Sequence, residues 1–329
     1  MTASVGHFVR SGPVPASGGL AALTLASPSG MAASFVPGAG MVGCALTLDG
    51  EELLGLRGGM PAYLAAAKTF GIPLLAPWAN RLGPDTYRVA GQECTVAGVP
   101  GVHRDEFGTA IHGLLAGAAG WQVLDATADA DSARLAAQFR FDHDCPEFDG
   151  FPFPHLIDIS VGLRGNELTV TTMVSPLSGS GVPVAFGWHP YFTLPGVPRS
   201  EWQLSLPYQR RAVLDARNMP TGEVVDWART TPPGGRRPLG DEVLDDLFVG
   251  VPAGARAELS GVGADGRGLR VGLEYTRGYG YGVAFAPAAE DVVAIEPMTA
   301  PTAPFSGKFD VIVANEPYEA VFTITAGRF

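Results

Sequence analysis

The chain has 329 residues, 46% of them hydrophobic and 17% charged, so it can bury a large core and is not disordered throughout. Its 33 acidic residues against 22 Lys and Arg leave a formal charge of −11. A surface that acidic repels phosphate backbones and argues against nucleic acid as a partner. No Lys/Arg-rich run opposes this, and Arg236-Arg237, in a Pro/Gly loop, reads as a solvated turn. Three cysteines, Cys44, Cys94 and Cys145, are odd in number, and their spacings of 50 and 51 residues match no zinc pattern. A reducing compartment is therefore expected. Met1–Gly12 lacks the apolar stretch of a signal peptide, and no run of about 18 apolar residues occurs. The expectation is a soluble, cytoplasmic protein without membrane contact.

The first regular element in chain order is a short helix over Pro61–Phe70, with proline in its first turn, an Ala-rich body and Gly71 past its end. Strand alternation follows. Phe139 and Phe141 alternate with Gln138, Arg140 and Asp142. Ile157, Ile159, Val161 and Leu163 alternate with Asp158, Ser160 and Gly162. Gly165-Asn166 marks a hairpin turn, after which Leu168, Val170, Thr172 and Val174 resume the period. Asp241–Leu247 could form another helical turn or two. Near the end, Tyr318, Ala320, Phe322 and Ile324 share one face. Period two with turn signals between runs means half-buried antiparallel sheet. The 44 glycines and 28 prolines supply the turns. Pro-rich loops at Leu194–Arg199 and Thr231–Pro238 are each followed by renewed alternation, and no linker or fixed repeat divides the chain. Residues 1–329 therefore read as one all-β domain, a large antiparallel sandwich with few short helices. Such a fold can gather polar side chains from several strands on one concave face.

Several residues could carry chemistry. His189 lies in Phe186-Gly-Trp-His-Pro-Tyr-Phe192, where aromatic neighbours could stack on the C–H face of a sugar. Locally it could equally be a satisfied core histidine, as could His112 in Gly108-Thr-Ala-Ile-His-Gly113. Glu296 ends an apolar run, Val292-Val-Ala-Ile295; a carboxylate buried there is costly without partners and would become a better base near neutral pH. Arg81, after Pro77-Trp-Ala-Asn80, suits a clamp on hydroxyls or a structural ion pair. Asp245 and Asp246 are candidate acceptors for sugar hydroxyls, or plain surface acids. Asp142-His143-Asp144 and His103 with Asp105 and Glu106 read as solvated charged turns, and no transition-metal site is expected. Gly38-x-Gly40 followed by Gly43 matches a dinucleotide spacing, but no strand-to-helix signal flanks it. No cofactor is implied.

Five segments then occur in order: Pro77-Trp-Ala-Asn-Arg-Leu-Gly83, Ile111-His-Gly113, His189-Pro-Tyr-Phe192, Asp245-Asp-Leu-Phe248 and Glu296-Pro-Met-Thr299. Together they resemble the motif series of the aldose 1-epimerase (galactose mutarotase) family over roughly residues 20 to 325. The resemblance implies a β-supersandwich with an open carbohydrate cleft and a small-molecule sugar as partner. It implies that His189 is the general acid towards the ring oxygen and Glu296 the base towards the anomeric hydroxyl. It further implies that Arg81 and His112 position the sugar, with Asn80 in support and Asp245, rather than Asp246, as hydroxyl acceptor. On this reading His189 is protonated and Glu296 ionised before substrate binds. Gly187-Trp188 stands where the family leads one to expect a small polar residue, and Ala300–Phe305 is unusually proline-rich. A hexose-6-phosphate epimerase would need basic residues converging on a phosphate, and no cluster is visible. A non-catalytic sugar-binding module would tolerate loss of the acid or base, and both are present. The particular sugar and the oligomeric state stay open.

Overall fold

Alternating burial is what builds this molecule. Along His155–Arg164, every second side chain is buried and the others face outward. The same period runs through Ala133–Phe141 and Glu167–Pro176. The computed structural model describes residues 6–66, 68–179, 181–229 and 235–329. Residues 231–234 of the Thr231–Pro238 loop lie outside these, as do 1–5 of the N-terminal stretch.

Three large sheets dominate. Five strands from Phe8 to Glu52 form an antiparallel meander. A nine-stranded sheet is centred on Glu167–Pro176 and the C-terminal strand Tyr318–Arg328, which pair directly. An eight-stranded sheet contains Leu244–Val249, Tyr281–Ala286 and Val293–Met298 as consecutive neighbours. Every ladder between described strands is antiparallel, which fits the one-sided alternation of the sequence. One continuous apolar core takes Phe35 and Leu46 from the first sheet, Val170 and Ile324 from the second, and Phe248 and Ile295 from the third. The expected all-β supersandwich is what the chain forms. Arg164 faces Glu167 across the two-residue turn Gly165-Asn166, as the turn signal predicts, with Gly165 at φ +55°.

Two helix expectations need correcting. The single α-helix among the described residues covers Gly59–Ala66, not Pro61–Phe70. It stops short because the chain beyond it is needed elsewhere. Phe70 is fully buried against Tyr63, and the Thr69 hydroxyl meets that of Tyr191 at 2.7 Å. Asp241–Leu247 is not helical: Leu244–Val249 is a strand paired at six positions with Tyr281–Ala286. So short a segment cannot sustain a helix alone, and two-sided pairing decides its state. Gly38 and Gly40 lie in the turn between two paired strands rather than at a strand-to-helix junction.

The strand carrying His189 is interrupted. Gly187–Trp188 and Tyr191–Phe192 both pair with Val293–Met298, with Gly187 opposite Met298 and Tyr191 opposite Ala294. Pro190 between them has no N–H to give, but its carbonyl accepts from Ile295 N–H at 3.2 Å. The register on either side of the gap places His189 opposite Glu296. Gly187 is required by close approach: a Cβ there would lie 2.9 Å from each of Ala79 Cβ, Met298 Cγ and the Pro297 carbonyl. The glycine that departs from the family pattern thus makes room for the loop that brings in Asn80 and Arg81. Gly187→Ala should lower the denaturant midpoint by the equivalent of about 1–3 kcal/mol, an overpacking cost. Unchanged unfolding would show that this loop can yield.

Candidate active site

The two faces of the eight-stranded sheet do different work. Val293, Ile295, Ala284 and Phe248 face the main core. On the other face lie Ala294, Glu296 and Met298, then Val283 and Phe285 of the next strand, then Asp245 and Leu247. Cross-strand neighbours share a face, so Asp245 lies on the side of Glu296 and His189. Asp246 falls on the opposite parity and is held by Arg211 at 2.7 Å. Asp245 keeps solvent contact and accepts from Asn218 Nδ2 at 3.1 Å.

At the centre, His189 Nε2 lies 3.1 Å from Glu296 Oε1, with side chains 7% and 1% exposed. His189 Nδ1 and Glu296 Oε2 have no hydrogen-bond partner in the protein. Buried polar atoms left open are costly and mark the place where a ligand would repay them. The His112 ring stands edge-on to His189, 5.6 Å between centroids. His112 N–H donates to the Asn80 carbonyl at 2.9 Å, which ties the two loops together. Asn80 and His112 both adopt left-handed backbone, at φ +54° and +65°. Outside glycine that conformation is uncommon and carries local strain. Gly113 follows His112 because a Cβ there would lie 2.1 Å from the Ala76 carbonyl oxygen.

Arg81 reaches the site in a fixed pose. Its Nε donates to Asp105 Oδ2 at 2.6 Å, and its backbone N–H to Asn80 Oδ1 at 2.7 Å. Its carbonyl accepts from Ala303 N–H at 2.7 Å, so the proline-rich segment after Glu296 serves to hold this loop. Asp105 is therefore not part of a solvated turn. Its side chain is 2% exposed, and its Oδ1 accepts from the N–H groups of Phe107 and Thr109. Desolvation opposes its ionisation, but Arg81 and those two N–H groups hold it below the usual carboxylate range. His143 and Asp144 are exposed as expected, but Asp142 beside them is not solvated: its side chain is 4% exposed and bound by Arg140.

The aromatic platform also differs from expectation. Trp188 is fully buried, and its Nε1 donates to Thr172 Oγ1 at 3.0 Å. Tyr191 is buried and stacks on the His189 ring itself, 4.2 Å between centroids. Alternation explains both: Trp188 turns to the core, and Tyr191 shares the face of His189 and is spent on it. Tyr281 and Phe285 remain partly exposed on this face, and Phe285 is the one edge-on to His189 and opposite Asp245 in register. Strand parity around Glu296 could have found it. Arg57 and Thr69, which meet Tyr191, come from distant loops and leave no signal in the sequence.

Burial opposes the expected charge state of the central pair. Desolvation raises the Glu296 pKa well above its ordinary value; Asp245 raises it further, while Arg81 pulls it down. Desolvation lowers that of His189, aided by the charges of His112 and Arg57. His112 falls to about 3 for the same first reason, with Arg81 adding to it. The neutral pair and the ion pair hold the same number of protons and differ by one transfer across the 3.1 Å contact.

Sequence comparison now has a site to attach to. A profile of the aldose 1-epimerase family matches residues 22–325, and the chain belongs to that family. An uncharacterized protein of Escherichia coli (strain K12), YihR, is 29% identical over 149 residues, 45% of this chain and 44% of the relative, so the match spans under half of that relative's length. Among solved structures, a galactose mutarotase-like protein from Clostridium acetobutylicum superposes with a TM-score of 0.82 at 20% identity, covering 98% of this chain and 99% of the other. Galactose 1-epimerase from Lactobacillus acidophilus NCFM gives 0.74 at 15% identity, covering 99% of each. At such identities these structures speak for the fold. Among the described residues, no helix is long and apolar enough to cross a membrane, and no three metal-ligating side chains converge.

The Glu296 shift has a stability consequence. A carboxyl whose folded pKa is raised contributes stability that is present below its unfolded pKa and lost as pH rises through the folded one. Glu296→Gln should therefore unfold later than wild type at pH 8, by roughly 1–3 kcal/mol, with the gap closing towards pH 4. Thermal scans across pH read this directly; a gap that widens in acid contradicts the assigned shift.

Proposed function

We propose that the protein is an aldose 1-epimerase that interconverts the α and β anomers of a free hexose. The observation behind this reading is the buried His189–Glu296 pair, 3.1 Å apart. The ring oxygen and the anomeric hydroxyl of a pyranose are bonded to the same carbon. A donor and an acceptor at this separation can address both oxygens at once from one side of the ring. The sugar is then seated over both residues rather than between them.

In the forward step, Glu296 takes the proton of the anomeric hydroxyl while His189 protonates the ring oxygen. The ring C–O bond breaks and the carbonyl forms. Rotation about the C1–C2 bond offers the other carbonyl face, and reclosure returns both protons. Each transfer contributes roughly 10²–10⁴ in rate. The acid must be charged and the base ionised at that moment, and burial opposes both. Sugar hydroxyls donating to Glu296 and a ring oxygen accepting from His189 supply the partners the charged forms lack. Catalysis then draws on an interaction made with substrate and not in the empty site. Arg81, with its charge felt by Glu296 and Asp245, helps hold the carboxylates ionised. Asn80, His112 and Asp245 are assigned to the remaining hydroxyls, and Phe285 to the apolar face of the ring.

A free rather than phosphorylated sugar is favoured by the state of the nearby cations. Arg81 is paired with Asp105, and Arg57 binds Glu290 through two hydrogen bonds of 2.7 and 2.8 Å. Neither guanidinium is unengaged, and Asp245 and Glu106 would repel a phosphate. Polarimetry of freshly dissolved α-glucose and α-galactose should show accelerated mutarotation, with 6-phosphorylated hexoses less affected. Glu296→Gln and His189→Asn should each lose about 10²–10⁴ in kcat while sugar still binds. Binding without acceleration across a panel of aldoses would leave a carbohydrate-binding protein and remove the enzyme reading.

A further inference from the structure

The proposed reading assigns Asp245 to a sugar hydroxyl, and one side chain that touches Asp245 has no role in it. Asn218 Nδ2 donates to Asp245 Oδ2 at 3.1 Å. Neither side chain makes another hydrogen bond among the described residues. Asn218 belongs to the turn Asp215-Ala-Arg-Asn-Met219, between the strands Arg210–Leu214 and Pro220–Asp226 of the eight-stranded sheet.

That turn is held without help from the Asn218 side chain. The Asp215 N–H donates to the Met219 carbonyl at 2.8 Å, and the Asn218 N–H to the Asp215 carbonyl at 3.0 Å. Asp215 Oδ1 accepts from the N–H groups of Arg217 and Met219 at 2.8 and 3.0 Å. Asn218 sits at φ +58°, a left-handed conformation that asparagine tolerates better than most residues. The turn also leans on the loops that build the site. Arg217 Nη2 donates to the Phe107 carbonyl and to Thr109 Oγ1, each at 3.3 Å, in the segment whose Asp105 fixes Arg81. Lys308 Nζ donates to the Pro220 carbonyl at 2.6 Å.

The strands Arg210–Leu214 and Leu244–Val249 pair at Arg211 and Phe248 and then part. A cavity of about 210 Å³ opens there, lined by Arg211, Leu214, Asp215, Asn218, Asp245 and Asp246 among others. Three of its four charged groups are already engaged. Arg211 binds Asp246 at 2.7 Å, and Asp215 is spent on the N–H groups of the turn. The Asn218–Asp245 pair keeps open positions: one amide N–H and the amide oxygen on Asn218, and Oδ1 on Asp245. A carboxylate alone can only accept. A donor set beside it suits two adjacent hydroxyls, one giving its proton to Asp245 and the other accepting from Asn218.

We infer that Asn218 is a specificity-determining residue that, together with Asp245, reads two adjacent ring hydroxyls of a pyranose other than the anomeric one. The inference rests on the reading of Asp245 as a hydroxyl acceptor. A contact to a non-reacting hydroxyl is made alike before and during ring opening, so it lowers KM rather than raising kcat.

Asn218→Gly tests this, because glycine keeps the left-handed turn and removes only the amide. For glucose, KM and the Kd read by calorimetry should each rise about tenfold, with kcat within about threefold of wild type. The 2-, 3- and 4-deoxyglucoses then show which hydroxyl is read. Wild type should bind at least one of them about tenfold more weakly than glucose. In Asn218→Gly that one penalty should vanish while any penalty at the other positions persists. The inference is overturned if Asn218→Gly binds every sugar as wild type does, or weakens all of them by one common factor, as a purely structural turn would. Calorimetry needs no turnover. A wild type that binds these sugars without accelerating mutarotation removes the enzymatic reading, and the deoxy pattern still decides the role of Asn218. A wild type that binds none of them overturns both.

Discussion

The site depends on one strand register. Val293–Met298 is paired on one side with Tyr281–Ala286 and on the other with two short strands flanking His189-Pro190. Register in a half-buried sheet is strongly specified, because a slip of one residue exchanges its two faces. Here a slip would carry Ile295 out of the core and bury Glu296 in apolar packing. The same constraint that keeps Ile295 inside therefore holds Glu296 opposite His189, with Asp245 two strands away on the same face. Pro190 spares the ladder an N–H, and the opening it leaves is where the imidazole meets the carboxylate.

Placing those groups there works against folding. An ionisable pair almost out of water is driven towards its neutral form, as the opposed shifts of Glu296 and His189 show. Left-handed backbone at His112 adds local strain. The surroundings offset this with fixed partners: Asp105 holds Arg81, Ala303 and Asn80 hold the two loops, and Tyr191 holds the imidazole. On the proposed function, rigid supports of this kind let the site keep groups whose charges are satisfied fully only when substrate is bound.

Strand identity and the motif residues were legible early because they depend on local signals. Alternation from Ile157 to Val174 and the Gly165-Asn166 turn predicted their hairpin, and the ordered motifs pointed to His189, Glu296 and Asp245. Where expectation failed, a distant partner had overridden the local pattern. The helix did not reach Phe70 because Thr69 and Phe70 are claimed by Tyr191 and Tyr63. Asp241–Leu247 lacked a helix because Tyr281–Ala286 pairs with it. Asp105 looked solvated because the guanidinium that buries it is 24 residues away in sequence. Trp188 looked like a sugar platform because nothing local revealed that its alternate neighbours, not it, face the cleft.

The amino-acid sequence by itself determined the all-β class, the family and the chemically capable residues. The class and the residues follow from residue type and short-range spacing, and the family from the resemblance of five ordered motifs, all of which survive without coordinates. Tertiary structure alone decided that His189 and Glu296 touch, that both are desolvated, and that Arg57 and Thr69 stand behind Tyr191. Those facts arise from pairings between segments more than a hundred residues apart, whose geometry is set by packing the sheets around one core. Charge state follows burial, and burial belongs to the folded whole.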